Sequence, residues 1–167
     1  MKKSRSWIPL IVLLCLLAYL VVWPKLKSDM DTAPDVELAL RDGTTAHLSD
    51  LRGSYVLLDF WASWCGPCIK DIPKIKQLDQ AYAGDNFQVV SIALEKKADR
   101  WERALDKYGL DWKYNALDQA AFVRLSSAAS AYGVTDIPAT FLIDPDGTIL
   151  GRNMSLDEIK SILDAEL

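Results

Sequence analysis

Two cysteines, Cys65 and Cys68, are separated only by Gly66 and Pro67 and lie between segments of different hydrophobic patterning. The segment before them, residues 55–61, is almost entirely apolar, as expected for a central strand that is covered on both faces. After them, apolar residues recur at helical spacing. The pair is therefore predicted to lie where a buried strand turns into a helix.

A corner of this kind makes a cysteine reactive. The unpaired backbone N–H groups and the positive dipole end at a helix N-terminus stabilise a thiolate over a thiol. In Cys-x-x-Cys motifs the pKa of the attacking thiol falls to roughly 3.5–7.5, from about 8.5 for a free cysteine. Cys65 precedes the helix and is expected to be exposed, whereas Cys68 lies nearly one turn inside it and is expected to be shielded. The pattern predicts a dithiol–disulfide exchange site.

Strand and helix patterns alternate along the rest of residues 36–167. Before the cysteines, residues 36–40 and 44–48 are joined by an Asp-Gly turn and predict a hairpin. Downstream, the sequence predicts strands at 87–93, 110–116, 139–143 and 148–152, and helices at 99–108, 121–132 and 156–165. This order indicates an α/β domain with a mixed sheet.

The N-terminal segment has a different character. Residues 7–23 contain no charged side chain and are flanked by Lys2, Lys3 and Arg5 on one side and by Lys25 and Lys27 on the other. A run of this length is at the short end of what spans a bilayer as a helix. Because basic residues favour the cytoplasmic side, we interpret residues 1–6 as a cytoplasmic N-terminus and 7–23 as a transmembrane signal anchor. Residues 24–35 are then a polar linker, and the domain formed by residues 36–167 lies on the extracytoplasmic (periplasmic) side.

Two alternatives to a permanent anchor are less consistent with the sequence. A cleaved signal peptide needs small residues in an A-x-A-like pattern, and the residues after Ala18 offer a poor site. A lipid-modified Cys15 would follow a small residue, but Leu14 precedes it. Cys15 is therefore expected to be an apolar, lipid-facing side chain.

Charge and cysteine usage exclude several classes of protein. Residues 31–167 contain 14 lysines and arginines against 22 aspartates and glutamates, a net charge of −8, so no basic nucleic-acid footprint is present. A domain of about 130 residues buries enough hydrophobic core to be stable without disulfides. The two cysteines are therefore expected to have a chemical role and not a structural one. No metal site is predicted, because zinc needs four ligands as a rule and the domain adds only His47. Covalent haem attachment needs a histidine where Ile69 stands.

Two stretches carry a resemblance to a known family. They are Asp59-Phe-Trp-Ala-Ser-Trp-Cys-Gly-Pro-Cys68 and Gly133-Val-Thr-Asp-Ile-Pro-Ala-Thr-Phe141. Over about residues 34–167 the chain resembles the thioredoxin superfamily, and within it the membrane-tethered TlpA/ResA/CcmG type of thiol–disulfide oxidoreductase. In the continuation Cys68-x-x-Asp71-x-Pro73, that subgroup usually has Glu instead of Asp71. The resemblance implies a thioredoxin fold with an N-terminal β-hairpin and an inserted helical segment.

The resemblance also implies roles for individual residues. Cys65 is the expected nucleophile and Cys68 the resolving thiol of a redox-active disulfide. Asp59 is expected to be a buried acid that relays the proton of Cys68; the alternative is an edge or solvent-facing aspartate. Pro138 is expected to follow a cis peptide bond and, with Ile137, to present backbone groups to a substrate chain; the alternative is a trans turn proline.

Other residues are candidates for tuning the site. An acid at Glu95 would lie near the cysteines in the tethered subgroup, but the following two lysines equally favour a solvated charge cluster. Trp61 and Trp64 are expected to form the apolar rim of the site, and ordinary packing is the alternative for both. Gly66 and Pro67 complete the predicted substrate groove.

These expectations combine into one function. We expect a membrane-anchored, extracytoplasmic protein-disulfide reductase that needs no cofactor beyond its cysteine pair. Its partners would be an upstream dithiol reductant and protein disulfide clients, such as apocytochrome in cytochrome c biogenesis, and its soluble domain would be monomeric. Three alternatives remain: a permanently closed structural disulfide, a dithiol module that passes Cu(I), and a redox-silent adaptor that binds peptides.

Overall fold

The computed structural model describes residues 11–20 and 32–167, which belong to two compact units, Met1–Thr32 and Ala33–Leu167. In the first unit, residues 11–20 form helix α1, whose side chains are exposed. Among the described residues, no helix combines the length and the apolar character needed to cross a membrane. Most of the predicted linker and the two ends of the predicted anchor, together with the N-terminus, lie outside the described residues.

The second unit contains a hairpin and a five-stranded sheet. The hairpin strands are β1 (Glu37–Ala39) and β2 (Thr45–His47), which pair antiparallel. The sheet strands are β3 (Tyr55–Trp61), β4 (Phe87–Leu94), β5 (Tyr114–Asp118), β6 (Ala139–Ile143) and β7 (Ile149–Arg152). Their order is β5-β4-β3-β6-β7, with β4 parallel to β3 and β5, and β6 antiparallel to β3 and β7. The mixed sheet that the sequence predicts is therefore present.

Helices cover this sheet. They are α2 (Gly66–Ala81), α3 (Ala98–Tyr108), α4 (Ser127–Ala131) and α5 (Leu156–Glu166), together with short 3-10 helices at Leu48–Leu51 and Val123–Leu125. Side chains alternate between the two faces of a strand, and β3 is buried on both. Leu58 and Phe60 pack with residues of the hairpin and α4, whereas Leu57 and Trp61 pack with residues of α2, α3 and α5. This double coverage explains the apolar run before the cysteines.

The helix predicted at 121–132 is confirmed only in its second half, and its first half is wrong. The chain instead forms a 3-10 turn at Val123–Leu125 and then a separate helix, α4. Asp118, at the end of β5, accepts hydrogen bonds through Oδ2 from Ser126 Oγ at 2.6 Å and from the N–H of Ala128 at 3.2 Å. Ser126 Oγ in turn accepts from the N–H of Ala129 at 2.9 Å. Because these bonds satisfy the free N–H groups of a helix start, they begin a new helix after Ser126.

Strand β5 is also displaced from its predicted range of 110–116. The side-chain nitrogen of Asn115 donates to the carbonyl of Trp112 at 2.7 Å and to that of Leu110 at 3.2 Å. These bonds hold residues 110–113 in a turn, so the strand begins only at Tyr114. The strands β3 and β6 occupy the predicted residues without any displacement.

The carboxyl ends of the three parallel strands lie at one edge of the sheet. At this edge β3 leads to Cys65, β4 is followed by Glu95, and β5 leads to the loop at 119–126. The antiparallel strand β6 begins at the same edge, since Ala139 pairs with Phe60. Four segments of the chain therefore meet around the cysteine pair.

Candidate active site

Cys65 and Cys68 are joined by a disulfide bond with an S–S distance of 2.01 Å. Cys65 is the residue immediately before α2, and its Sγ accepts a hydrogen bond from the backbone N–H of Cys68 at 3.2 Å. Pro67 lies in the first turn of α2, where its missing N–H has no intrahelical partner to lose. The Cys65 sulfur therefore lies at the positive end of the helix dipole, as the strand-to-helix pattern predicts.

The prediction that Cys65 is exposed is wrong for this disulfide-bonded form. Its relative exposure is 4%, against 3% for Cys68. Cys65 is bonded inward to Cys68 and belongs to the same buried cluster as Trp61 and Ala62, which removes it from solvent. The pair therefore lies directly beneath the surface.

The three residues that adjoin the cysteines in sequence, Trp64, Gly66 and Pro67, are all exposed, with Trp64 at 60%. Trp61 does not belong to this rim, and its predicted position there is wrong. It is the last residue of β3 and is 1% exposed, packed on the sheet face that α2 covers. Of the two tryptophans, only Trp64 is accessible to a partner.

The peptide bond between Ile137 and Pro138 is cis, which is the geometry that the resemblance implies and not the trans alternative. Pro138 is exposed, and Ile137 is partly buried against both hydrophobic clusters of the domain. Pro138 immediately precedes Ala139, which pairs with Phe60 near the end of β3. The proline thus lies at the edge of the sheet that carries the cysteines.

Asp59 is a buried carboxyl group on the face of the sheet that α2 covers. It lies between Leu57 and Trp61 in β3, and its relative exposure of 5% excludes the solvent-facing alternative. Burial raises its pKa from 3.8 to about 7, and repulsion from Asp71 on α2 adds to this effect. A carboxyl group with this pKa exchanges a proton near neutral pH, as acid–base catalysis requires.

A cleft of about 230 Å³ opens at the strand position next to Asp59 on β6. Asp71, Lys74, Pro138 and Thr140 contribute to its lining. Thr140 is the register partner of Asp59 on β6. The cleft therefore reaches the residue paired with Asp59, while the Asp59 carboxyl group itself is buried.

Glu95 is buried, with a relative exposure of 1%, whereas Lys96 and Lys97 are exposed. The solvated-cluster alternative is thus wrong for Glu95. Its Oε1 accepts a hydrogen bond from the backbone N–H of Ser63 at 2.6 Å. Because Ser63 is two residues before Cys65, this hydrogen bond fixes the loop that carries the nucleophile candidate.

The sequence reasoning missed two serines near the site. One is Ser63, whose contact with Glu95 spans 32 residues of sequence. The other is Ser91 of β4, which pairs with Asp59, is 1% exposed, and has no hydrogen-bond partner for its Oγ among the described residues. The sequence does contain a signal for Ser91. It and Asp59 are single polar residues within two apolar runs, β4 and β3, and this pattern indicates a polar pair inside the sheet.

Comparison with known proteins agrees with this geometry. The Redoxin family model matches residues 29–167. The thiol-disulfide oxidoreductase ResA of Geobacillus thermodenitrificans is 29% identical over 175 residues, which cover 98% of this chain and 97% of the relative. ResA of Geobacillus kaustophilus is 30% identical over 137 residues, covering 80% and 75% of the two chains.

A solved thiol-disulfide oxidoreductase from Bacteroides fragilis has the same fold. It matches with a TM-score of 0.73 at 30% identity, covering 81% of this chain and 99% of that chain. The sequence match, the fold and the bonded cysteine pair point to one conclusion. The chain belongs to the Redoxin family of the thioredoxin superfamily and is a thiol–disulfide oxidoreductase of the TlpA/ResA/CcmG type.

Proposed function

We propose that this oxidoreductase reduces disulfide bonds of client proteins outside the cytoplasm, while residues 7–23 hold it at the membrane. One observation carries the redox part of the proposal. The Cys65 sulfur lies at the N-terminus of α2, accepts the N–H of Cys68, and is bonded to the sulfur of that residue. This position favours the thiolate of the reduced enzyme, because the helix dipole and a free N–H group both stabilise negative charge.

In the first step, the Cys65 thiolate attacks one sulfur of the client disulfide. A new bond forms between Cys65 and that sulfur, and the bond between the two client sulfurs breaks. The other client sulfur leaves as a thiolate and takes a proton from solvent. The product is a mixed disulfide between enzyme and client.

In the second step, the Cys68 thiol transfers its proton to the Asp59 carboxylate and attacks the Cys65 sulfur. The bond between the two cysteines forms while the bond between Cys65 and the client sulfur breaks, and the client leaves with that sulfur as a thiolate, which takes a proton from solvent. The client gains two electrons and two protons, and an upstream dithiol donor must return them to the enzyme. A pKa of about 7 allows Asp59 both to accept and to release a proton near neutral pH.

The surrounding residues position the client. Pro138 and Ile137 present backbone groups to the substrate chain, and Trp64, Gly66 and Pro67 form the exposed wall beside the cysteines. The hydrogen bond between Glu95 and Ser63 holds this wall in place. The reaction uses the cysteine pair alone, and its direction follows from the reduction potentials of the partners.

The N-terminal sequence supports the proposed attachment to the membrane. Residues 7–23 are uncharged and follow Lys2, Lys3 and Arg5, and the described residues 11–20 form a helix. This charge pattern supports an extracytoplasmic position for the domain. Protease added to intact spheroplasts should then digest the domain without lysis; protection of the domain until lysis would contradict the proposed orientation.

The enzymatic proposal is tested with a peptide that contains one internal disulfide. One equivalent of reduced protein should convert one equivalent of peptide to the dithiol and become oxidised at Cys65 and Cys68. The disulfide content of both products is measured by mass spectrometry after alkylation. The Cys65→Ser variant, which lacks the attacking sulfur, should leave the peptide disulfide intact.

A further inference from the structure

Helix α3 separates its charged side chains by sign. It carries three cations, Arg100, Arg103 and Lys107, and three acids, Asp99, Glu102 and Asp106. At 3.6 residues per turn the three cations fall within an arc of about 60°, and the three acids fall within a neighbouring arc of about 60°. We call the first arc, formed by Arg100, Arg103 and Lys107, the basic face of α3.

The basic face borders the loop that leads to Cys65. A cleft of about 310 Å³ is lined by Ser63, by the three cations, and by Ala104 and Tyr108. Ser63 is two residues before Cys65, a separation of at most about 7 Å along an extended chain. None of the three acids lines this cleft, and one of them, Asp106, binds Arg41, which follows strand β1. The fold therefore directs the positive side of α3 toward the site.

The cations of this face are available to a partner. Arg100 has no ion-pair partner among the described residues, and Lys107 Nζ lies 5.0 Å from the ring centroid of Tyr108. Arg103 contacts Asp99 at 2.9 Å, but both side chains are largely exposed, so this pair is easily exchanged for another anion. The basic face of α3 is therefore opposite in sign to residues 31–167 as a whole, whose net charge is −8.

We propose that the basic face of α3 binds an acidic segment that flanks the reactive disulfide of a client protein. This inference rests on the proposed function, because the client must bring its disulfide to Cys65. Carboxylates a few residues from the client cysteine would reach the cleft while that cysteine meets the Cys65 sulfur. Charge complementarity of this kind raises association rates and selects among partners.

The test uses three synthetic peptides with the same internal disulfide, flanked by four Glu, four Gln or four Lys residues. The second-order rate constant for their reduction by the reduced protein is measured at about 0.1 M ionic strength, where the screening length is about 10 Å. We expect the Glu peptide to react about tenfold faster than the Lys peptide, within the range for electrostatic steering. The preference should disappear near 1 M salt. The total charge of the domain favours the opposite order, so equal rates or faster reduction of the Lys peptide would overturn the proposal.

Two double variants with the same change in net charge locate the effect. Arg100→Glu with Lys107→Glu should reverse the preference for the Glu peptide. Lys113→Glu with Lys160→Glu should preserve it, since Lys113 lies just before β5, at the edge opposite the site. Lys160 contacts Tyr82, just beyond the far end of α2. Equal effects of the two variants would assign the preference to total charge and not to the basic face.

The Gln peptide separates failure of this inference from failure of the proposed function. If the protein reduces all three peptides at the same rate, the docking surface is wrong and the redox function stands. If it reduces none of them, the redox function fails and the docking proposal fails with it.

Discussion

Replacing Cys65 by serine is expected to abolish reduction of a peptide disulfide, lowering the rate by roughly three orders of magnitude or more. A serine hydroxyl cannot form a disulfide, so the first covalent step has no substitute. The Cys68→Ser variant should behave differently, because it retains the Cys65 sulfur and the backbone N–H of residue 68. This variant should attack the peptide and accumulate as a stable mixed disulfide at Cys65.

The third cysteine provides the matched control. Cys15 lies in α1 and is a free thiol, so Cys15→Ser should leave the rate unchanged. Mass spectrometry after alkylation identifies the cysteine that carries the peptide. An adduct at residue 68 in Cys65→Ser protein, formed at the wild-type rate, would reverse the assigned roles. Wild-type turnover by Cys65→Ser would exclude the mechanism altogether.

Replacing Asp59 by asparagine is expected to stabilise the oxidised protein at pH 8 and to slow its chemistry. In the folded protein the pKa of Asp59 is about 7, against 3.8 for the unfolded reference. Between these two values the unfolded chain has lost the proton while the folded protein keeps it. The free energy of unfolding of the wild type therefore falls as pH rises from about 4 to about 7, by up to about 4 kcal/mol. Asparagine cannot ionise, so the Asp59→Asn variant does not lose this free energy of unfolding as pH rises.

Urea denaturation at several pH values from 4.5 to 8 measures this effect as the difference between variant and wild type. The difference should be small near pH 4.5 and should reach about 2–4 kcal/mol in favour of Asp59→Asn at pH 8. Asp71→Asn is the matched control, because it removes the repulsion that adds to the raised pKa of Asp59. In this variant the free energy of unfolding should still fall as pH rises, but less steeply than in the wild type. A difference that does not change with pH would contradict the buried, titrating carboxyl group.

The same variant should slow disulfide exchange at pH 7 by roughly 10²-fold, because the Cys68 thiol loses its proton acceptor. The step affected is resolution of the mixed disulfide, so the intermediate with Cys65 should accumulate transiently. Formation of the mixed disulfide should be nearly unchanged. If both steps kept their wild-type rates, Asp59 would be a structural residue without a role in proton transfer.

The parts of the fold that could be predicted are those that depend on local pattern. Strands β3 and β6 match their predicted bounds because both are almost wholly apolar and are buried on both faces of the sheet. The cysteine pair lies at the predicted corner for the same reason. The helix predicted at 156–165 also begins at its predicted residue, where the Oγ of the preceding Ser155 accepts a hydrogen bond from the N–H of Glu158.

The parts that could not be predicted depend on contacts between distant segments. The helix predicted at 121–132 ignores the carboxylate of Asp118, which accepts hydrogen bonds from residues 8 and 10 positions later. The sequence leaves open whether Glu95 lies near the cysteines or is solvated beside two lysines, because its hydrogen-bond partner, Ser63, is 32 residues away. The depth of Cys65 depends on the disulfide and on packing with Trp61, which no spacing rule describes.

The central claim is that the reduced Cys65 sulfur is made acidic by its place at the start of α2. The most direct measurement is the pH dependence of alkylation by iodoacetamide, with the Cys15→Ser, Cys68→Ser protein so that Cys65 is the single thiol. We predict that alkylation of Cys65 reaches half of its maximal rate at a pH within roughly 3.5–7.5. A pKa at or above about 8.5, the value of an ordinary cysteine, would contradict it.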